Sequence, residues 1–300
     1  MKYYRSIILL VLIFPELLFS QEKDSIRVFY LGGQSNMIGF GTINELPSDL
    51  NKEFKNVFMY EGNSVGDEQQ NGGIGKWEVL KPGYGVGFST DGIKNNYSNR
   101  FGIELSFARK LQELYPNDKI AIIKYARNGS SIDSLAAGRF GSWEPDFKGI
   151  NQYDHFLTTL KGAFSNTDID GDGKTDILIP SGIIWMQGES DASFSEEVAN
   201  SYYFNLKRLM DLIRASFRVD DLPVVIGKIS DSWNDADGKV YEYGELLQYA
   251  QEKFARTDTN AAIVRDTRYY KYSDTWHYNS EGYIDLGEKF AEAIYKLNTK

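Results

Sequence analysis

The chain contains no cysteine. That excludes a disulfide framework and a lipid attached through a thiol, so the fold must be held by its core alone. Histidine is scarce: His155 and His277 are the two in 300 residues. Any chemistry that needs an imidazole base must use one of them. There is no surplus of positive charge, since 33 Lys and Arg stand against 42 Asp and Glu, a net charge of −9. An acidic chain without a basic stripe does not suit nucleic acid or an anionic membrane as a partner. Nor is there an apolar run of membrane-spanning length.

The run that opens the chain, Ile7–Phe14, has eight residues. Lys2 and Arg5 precede it, and Pro15 and the small Ser20 follow, which is the form of a secretory signal peptide cleaved near Ser20–Gln21. Leu18 departs from the small-residue rule for that cleavage. The expectation is a secreted or periplasmic protein with no membrane contact after processing, residues 1–20 being removed and residues 21–300 forming a single domain. The removed segment carries Lys2, Arg5 and Glu16, which takes the mature chain from −9 to −10. Its length suffices for one large core. With 20 Tyr, 18 Phe and 5 Trp it is rich in aromatics, which fill cores and also stack on sugar rings.

Apolar runs alternate with helix-period segments, the pattern of an α/β protein with a mostly parallel sheet. Strands are expected at Arg27–Leu31, Val57–Tyr60, Ile120–Ala126, Ile177–Met186, Val224–Gly227 and Ala261–Val264. Helices are expected over 101–114, 153–164, 195–217, 241–255 and 281–297. Pro180 implies an irregular start to its strand. Residues 61–100 are rich in Gly, Asn and Ser with little periodicity, and read as a functional loop overhanging the site with Trp77 anchored inward. No internal repeat, low-complexity tract or linker is present.

Three polar, glycine-bearing turns follow strands: Gly32-Gly33-Gln34-Ser35, Arg127-Asn128-Gly129-Ser130, and Gln187-Gly188-Glu189-Ser190-Asp191. Open α/β sheets bind ligands outside the carboxyl ends of their strands, so these turns are expected to share one rim. Hydrolysis of an ester by serine needs a hydroxyl, an imidazole base, a carboxylate that fixes the imidazole tautomer, and donors for the oxyanion. Ser35 supplies the hydroxyl. His277 supplies the base, an imidazole having an ordinary pKa of ~6.5. Asp274, three residues earlier, can reach its far nitrogen. The backbone N–H groups of Ser35 and Gly129 and the side-chain amide of Gln187 are the candidate oxyanion donors. Gln34 and Asn36 flank the nucleophile as supports. Glu189 and Asp191 are either rival partners for His277 or supports of their loop, and the local spacing of Asp274 favours the second reading.

Singly, each feature has a plainer explanation: Ser35 as a helix cap, Asp274 and His277 as a loop pair, Gln187-Gly188-Glu189 as a structural turn. Three such turns together with the one late histidine make coincidence a poor account. His155 reads as structural, at the start of a helix. Arg127 reads either as a substrate contact or as part of a surface ion pair.

The same blocks resemble a known family. Gly33-Gln34-Ser35-Asn36-Met37 is similar to the first block of the SGNH hydrolases, in the branch of sialate O-acetylesterases and the acetyl xylan esterases of carbohydrate esterase family six. Trp185-Met186-Gln187-Gly188-Glu189-Ser190-Asp191 resembles the third block, and Asp274-Thr275-Trp276-His277 followed by Tyr283-Ile284-Asp285-Leu286-Gly287 the last. Phe101-Gly102-Ile103-Glu104 is also similar to a segment of these enzymes. The resemblance implies a flavodoxin-like three-layer α/β/α fold and removal of acetyl groups from carbohydrates without a catalytic metal. It implies Ser35, His277 and Asp274 as the triad, and Ser35, Gly129 and Gln187 as oxyanion donors. Two departures stand out. Gln187 takes the place of the wider superfamily's asparagine, as in the esterase branch, and Asn128-Gly129 stands where paired glycines are usual. Position 37 is Met, so the serine does not sit in a Gly-x-Ser-x-Gly elbow, and an α/β-hydrolase is the poorer match.

A second motif lies apart. Asp168, Asp170, Asp172 and Asp176, with the Lys174 carbonyl, alternate oxygen ligands around Gly171 and Gly173, which predicts a structural Ca²⁺. An EF-hand would need glutamate at position 179, which is Ile179, so no full EF-hand exists. The alternative is a solvated acidic turn. The partner expected of the whole chain is an acetylated glycan. A carbohydrate-binding protein on a decayed esterase scaffold, and an esterase for lipid or aryl esters, are the competing readings.

Overall fold

Runs rich in β-branched and aromatic residues form seven strands of one sheet: β1 (Ser25–Gly33), β2 (Val57–Glu61), β3 (Trp77–Val79), β4 (Lys119–Ala126), β5 (Ile177–Met186), β6 (Val224–Gly227) and β7 (Ala261–Val264). The computed structural model describes residues 25–64, 69, 71–166 and 168–300, so the expected signal peptide lies outside the described residues. The strand order is β7-β6-β5-β1-β4-β2-β3. All neighbours are parallel except β3, which turns back antiparallel on β2. Central strands with helices on both faces have no wet side, which is why β1 reads as a continuous apolar run rather than an alternation.

The helices are α1 (Ser35–Ile38), α2 (Glu104–Leu114), α3 (Gln152–Ser165), α4 (Glu189–Phe194), α5 (Glu196–Phe217), α6 (Gly244–Thr257) and α7 (Ser280–Asn298). Helix α2 packs on α7 and α5 packs on α6, giving the three layers expected. Phe29 meets Phe107 edge-on under α2, while Tyr30, the next residue and so on the opposite face, meets Phe156 of α3. Ser195 caps α5 by accepting from the Val198 N–H, as its sequence position predicts. The Pro180 irregularity is also present: the β1–β5 register shifts between Val28, opposite Pro180, and Phe29.

Three expectations need correction. Residues 61–100 are not structureless: they hold β3, the short ribbon Ser89–Thr90 with Asn95–Asn96, and the strand Arg100–Phe101. Their turns are fixed by side-chain bonds that periodicity does not reveal, such as Asp91 accepting from Ile93 and Lys94. Trp77 is anchored inward as expected, donating to the Ala163 carbonyl at 2.9 Å. Second, α2 begins at Glu104 rather than Phe101, because Phe101 pairs with Gly41 and the Glu104 carboxylate turns back to the Gly102 N–H. Third, α4 was not expected, its six residues being too few for a periodic signal.

Candidate active site

β1 delivers the serine. Gly33 adopts φ +144°, and a Cβ there would lie 1.9 Å from the Met186 carbonyl oxygen of β5. Only glycine lets β1 end so close to its neighbour. The Gln34 N–H then bonds that same carbonyl at 2.9 Å, and the chain turns into α1. Gln34 occupies the N-cap position, so Ser35 is the first helical residue and not a cap. Its N–H belongs to a first helical turn, whose donors have no partner within the helix.

Ser35 and His277 line one cavity of about 600 Å³, together with Gln34, Asn128, Gly129 and Glu189. Its remaining wall is largely aromatic: Phe40, Phe140, Tyr241 and Trp276. His277 Nδ1 lies 2.7 Å from Asp274 Oδ2, leaving Nε2 for the cavity. The Asp274 Oδ1 accepts from the N–H groups of Trp276 and His277 at 2.7 and 2.8 Å, so one carboxylate shapes the loop and orients the ring. Burial acts to raise the Asp274 pKa. The His277 and backbone hydrogen bonds outweigh it, and the net shift is downward, toward the ionised form.

The supports tie distant turns together. Asn36 donates to Glu189 Oε1 at 2.8 Å and to the Trp276 carbonyl at 3.1 Å, and accepts from Tyr283 OH at 2.9 Å. The nucleophile turn, the Gln187 turn and the His277 loop therefore meet on one amide. Gln34 Oε1 accepts from the Gly188 N–H at 3.3 Å. Asp191 accepts from the N–H groups of Ile132 and Asp133, and from Gln187. Burial lifts its carboxyl to about 6 against those donors. Burial also raises Glu189, opposed by the Asn36 amide. Neither is hydrogen-bonded to His277, whose ring nitrogen pairs with Asp274. Beneath α1, the buried Lys124 donates to the Ile38 carbonyl at 2.9 Å and the Tyr84 carbonyl at 2.8 Å, and pairs with Glu61 and Glu104, each at 3.3 Å.

Gln187 is not brought to the cavity. It is fully buried. Its amide donates to the Ser130 carbonyl at 3.1 Å and to Asp191 at 2.6 Å, and its Oε1 accepts from Tyr202 OH at 2.9 Å. With both amide hydrogens taken, it braces the Gly129 loop rather than facing an oxyanion. Gly129 does line the cavity, at φ +62°, where a Cβ would strike Phe140 at 2.3 Å. Asn128 lines it as well, its Oδ1 buried without a partner. Among the described residues, none of 61–100 lines the cavity, and residues 65–68 and 70 of that segment lie outside the described residues; Arg127 is also outside the cavity, with its guanidinium 5.5 Å from the Phe140 ring. His155 is a buried helix residue bonded to Tyr125 OH at 2.8 Å.

Sequence reasoning missed Phe40, whose ring lies flat on the His277 imidazole, and Phe140, Tyr241 and Arg139 in the wall. Trp276 was visible only as part of its motif. In the acidic loop, Asp168, Asp170 and Asp176 bring oxygens within 4.8 Å of one another. Asp172 turns instead to Lys174, accepting from its N–H at 2.8 Å and pairing with its Nζ at 3.2 Å. Loop N–H groups bond Asp168, and Lys119 pairs with Asp170.

A seven-stranded sheet, parallel but for β3, between helix layers, with a serine after the first strand and an Asp–x–x–His before the last helix, is the arrangement expected of an SGNH-type fold. Comparison with family models then gives the particular group: residues 25–296 match the model for carbohydrate esterase, sialic acid-specific acetylesterase, and the chain belongs to that family of carboxylic ester hydrolases. No curated sequence matches. Among solved structures, a protein from Arabidopsis thaliana is similar at a TM-score of 0.65 and 19% identity, over 90% of this chain and 98% of that one. A carbohydrate acetylesterase from Xanthomonas citri gives 0.60 and 16%, over 91% of this chain and 56% of that one. NanS gives 0.59 and 16%, over 91% and 98%. At such identities these likenesses describe the fold.

Proposed function

We propose that this protein is an exported serine esterase that removes O-acetyl groups from a glycan, with Ser35 as nucleophile, His277 as base and Asp274 as its orienting acid. The observation that carries the reading is the meeting of Ser35 and His277 on one cavity with Asp274 at 2.7 Å from the far ring nitrogen. Ser35 Oγ attacks the acetyl carbon as His277 Nε2 takes its proton. The N–H groups of Ser35 and Gly129 receive the oxyanion, and we assign the third donor to the Asn128 amide rather than to Gln187. Collapse expels the sugar hydroxyl, which takes the proton back from His277. Water, activated by the same imidazole, then releases acetate. Export rests on the form of residues 1–20.

Ser35→Ala, with the melting temperature preserved, should lower acetate release by about four to six orders of magnitude. Near wild-type turnover by that variant would defeat the assignment. Acetate release by the wild-type protein separates an esterase from a binding protein, which holds deacetylated glycan and releases none. The acidic loop supports at most a three-carboxylate Ca²⁺ site of Asp168, Asp170 and Asp176, proposed from its spacing. A Tm that rises with added Ca²⁺ supports it, and an unchanged Tm removes it.

A further inference from the structure

Next to the active cavity lies a second one of about 280 Å³, and Tyr241 forms a wall of both. The second cavity carries Trp233, which is 63% exposed and sits at φ +57°, a conformation that costs free energy for any residue with a Cβ. A large apolar ring is thus held in water by a strained backbone. Hydrogen bonds hold it there. Asp231 accepts from the N–H groups of Trp233 at 2.7 Å and of Tyr241 at 2.8 Å. Ser232 Oγ donates to the Thr275 carbonyl at 2.7 Å, and Thr275 Oγ1 to the Asn234 carbonyl at 3.3 Å. The loop bearing Trp233 is therefore fastened to the loop that bears His277 and the exposed Trp276.

We propose that this second cavity is a subsite for the sugar units adjoining the acetylated one, so that the enzyme takes an oligomeric glycan in preference to a single acetylated sugar. The inference rests on the esterase reading above. Indole faces accept the C–H face of a pyranose ring, and Trp276 at the active cavity and Trp233 beyond Tyr241 offer two such faces on bonded loops. Beside Trp233 and Tyr241 the lining residues are mostly polar; Gln248, which donates one amide hydrogen to the Ile229 carbonyl, and Arg268, which donates to Tyr269 OH, retain further N–H groups for ring hydroxyls.

The test compares O-acetylated monosaccharides with the matching acetylated tetrasaccharides of the xylo, manno and gluco series, and free O-acetyl sialic acid with its sialyl-trisaccharide. 4-Nitrophenyl acetate serves as the reference ester. Wild-type kcat/KM should favour the longer member of the accepted series by about tenfold. Trp233→Gly, which relieves the φ strain and so leaves folding intact, should abolish that preference, read as the ratio to the reference ester; Trp233→Phe should keep most of it. Equal kcat/KM for short and long members in the wild type overturns the subsite and leaves the esterase standing. So does a Trp233→Gly enzyme that keeps the full preference. Failure to hydrolyse the reference ester and every sugar acetate would remove the esterase reading, and the inference with it.

Discussion

The imidazole of His277 lies flat on the ring of Phe40, with centroids 3.5 Å apart and planes 7° from parallel. Phe40 is five residues beyond Ser35 on the same turn, so the segment that carries the nucleophile also sets the plane of the base. Asp274 fixes the ring at one nitrogen; Phe40 fixes its tilt. Phe40→Ala should leave the Asp274 bond intact but free the ring to rock, and a displacement of about 1 Å costs on the order of 10²-fold in rate. Steady-state kinetics should show this in kcat with little change in KM, and Phe40→Tyr should restore most of it. A full-rate Phe40→Ala enzyme would show that the stack is incidental.

Asp274 can be separated from the other two carboxylates near the site. Glu189 gives one carboxylate oxygen to Asn36 and is not bonded to His277, and Asp191 is engaged by Ile132, Asp133 and Gln187. Asp274→Asn should therefore lower kcat by about 10²–10⁴-fold, through loss of the tautomer that keeps Nε2 ready for a proton. The Asp274 side chain is 43% exposed, so the Tm should hardly move. A mild effect on kcat would mean that another group orients His277.

The candidate site was legible in the sequence where chemistry depends on residue type after a strand: that Ser35, Gly129 and His277 line one cavity and that Asp274 meets His277 followed from the pattern of strands and turns together with the family resemblance. The parallel sheet was equally legible, because strands buried on both faces must be apolar throughout. What could not be read was direction. Gln187 occupies a motif position, but nothing local says that its amide turns inward to Ser130 and Asp191 rather than outward. Phe40 and Tyr241 reach the cavity through long-range packing, and one aromatic looks like another in a chain with so many. The segment 61–100 hid β3 because three residues are too few to show an alternation.

The ion cluster under α1 makes a pH prediction. One lysine, Lys124, faces two carboxyls, and burial pushes Glu61 up to about 8 against the pull of Lys124, with Glu104 adding to the rise. An unfolded glutamate titrates near ~4.3. Between these values the folded chain keeps a proton that the unfolded chain releases, so this group's contribution is largest in acid and declines as pH rises toward 8. Glu61→Gln removes that titration while leaving Lys124 paired with Glu104. Its Tm relative to wild type should climb from pH 5 to pH 8 and level off above, the full linkage being at most ~4 kcal/mol at about 1.36 kcal/mol per pH unit. Thermal denaturation across that range checks it; a difference that stays flat from pH 5 to pH 9 would mean that both carboxylates are ionised in the folded chain.

The oxyanion donors can be divided by pairing two variants. Asn128 lines the cavity, its amide oxygen buried without a partner, whereas every hydrogen-bonding atom of the Gln187 side chain is already engaged behind it. If Asn128 donates to the developing charge, Asn128→Ala should cut kcat by about 10²–10³-fold with KM nearly unchanged, since the bond exists chiefly in the transition state. Its Tm should stay close to wild type, because the side chain braces nothing. Gln187→Met keeps the volume but leaves the Ser130 carbonyl without its donor and takes one donor from Asp191, which keeps the Ile132 and Asp133 N–H groups, while Tyr202 OH keeps the Gln187 main-chain carbonyl, so it should cost about 1–3 kcal/mol of stability. Its kinetic loss should follow from loosening of the Gly129 loop and be smaller than that of Asn128→Ala at a temperature where both are folded. The opposite ranking, with a fully folded Gln187→Met enzyme the more impaired, would mean that the glutamine swings out to meet substrate and that the bonds to Ser130 and Asp191 describe only its resting position.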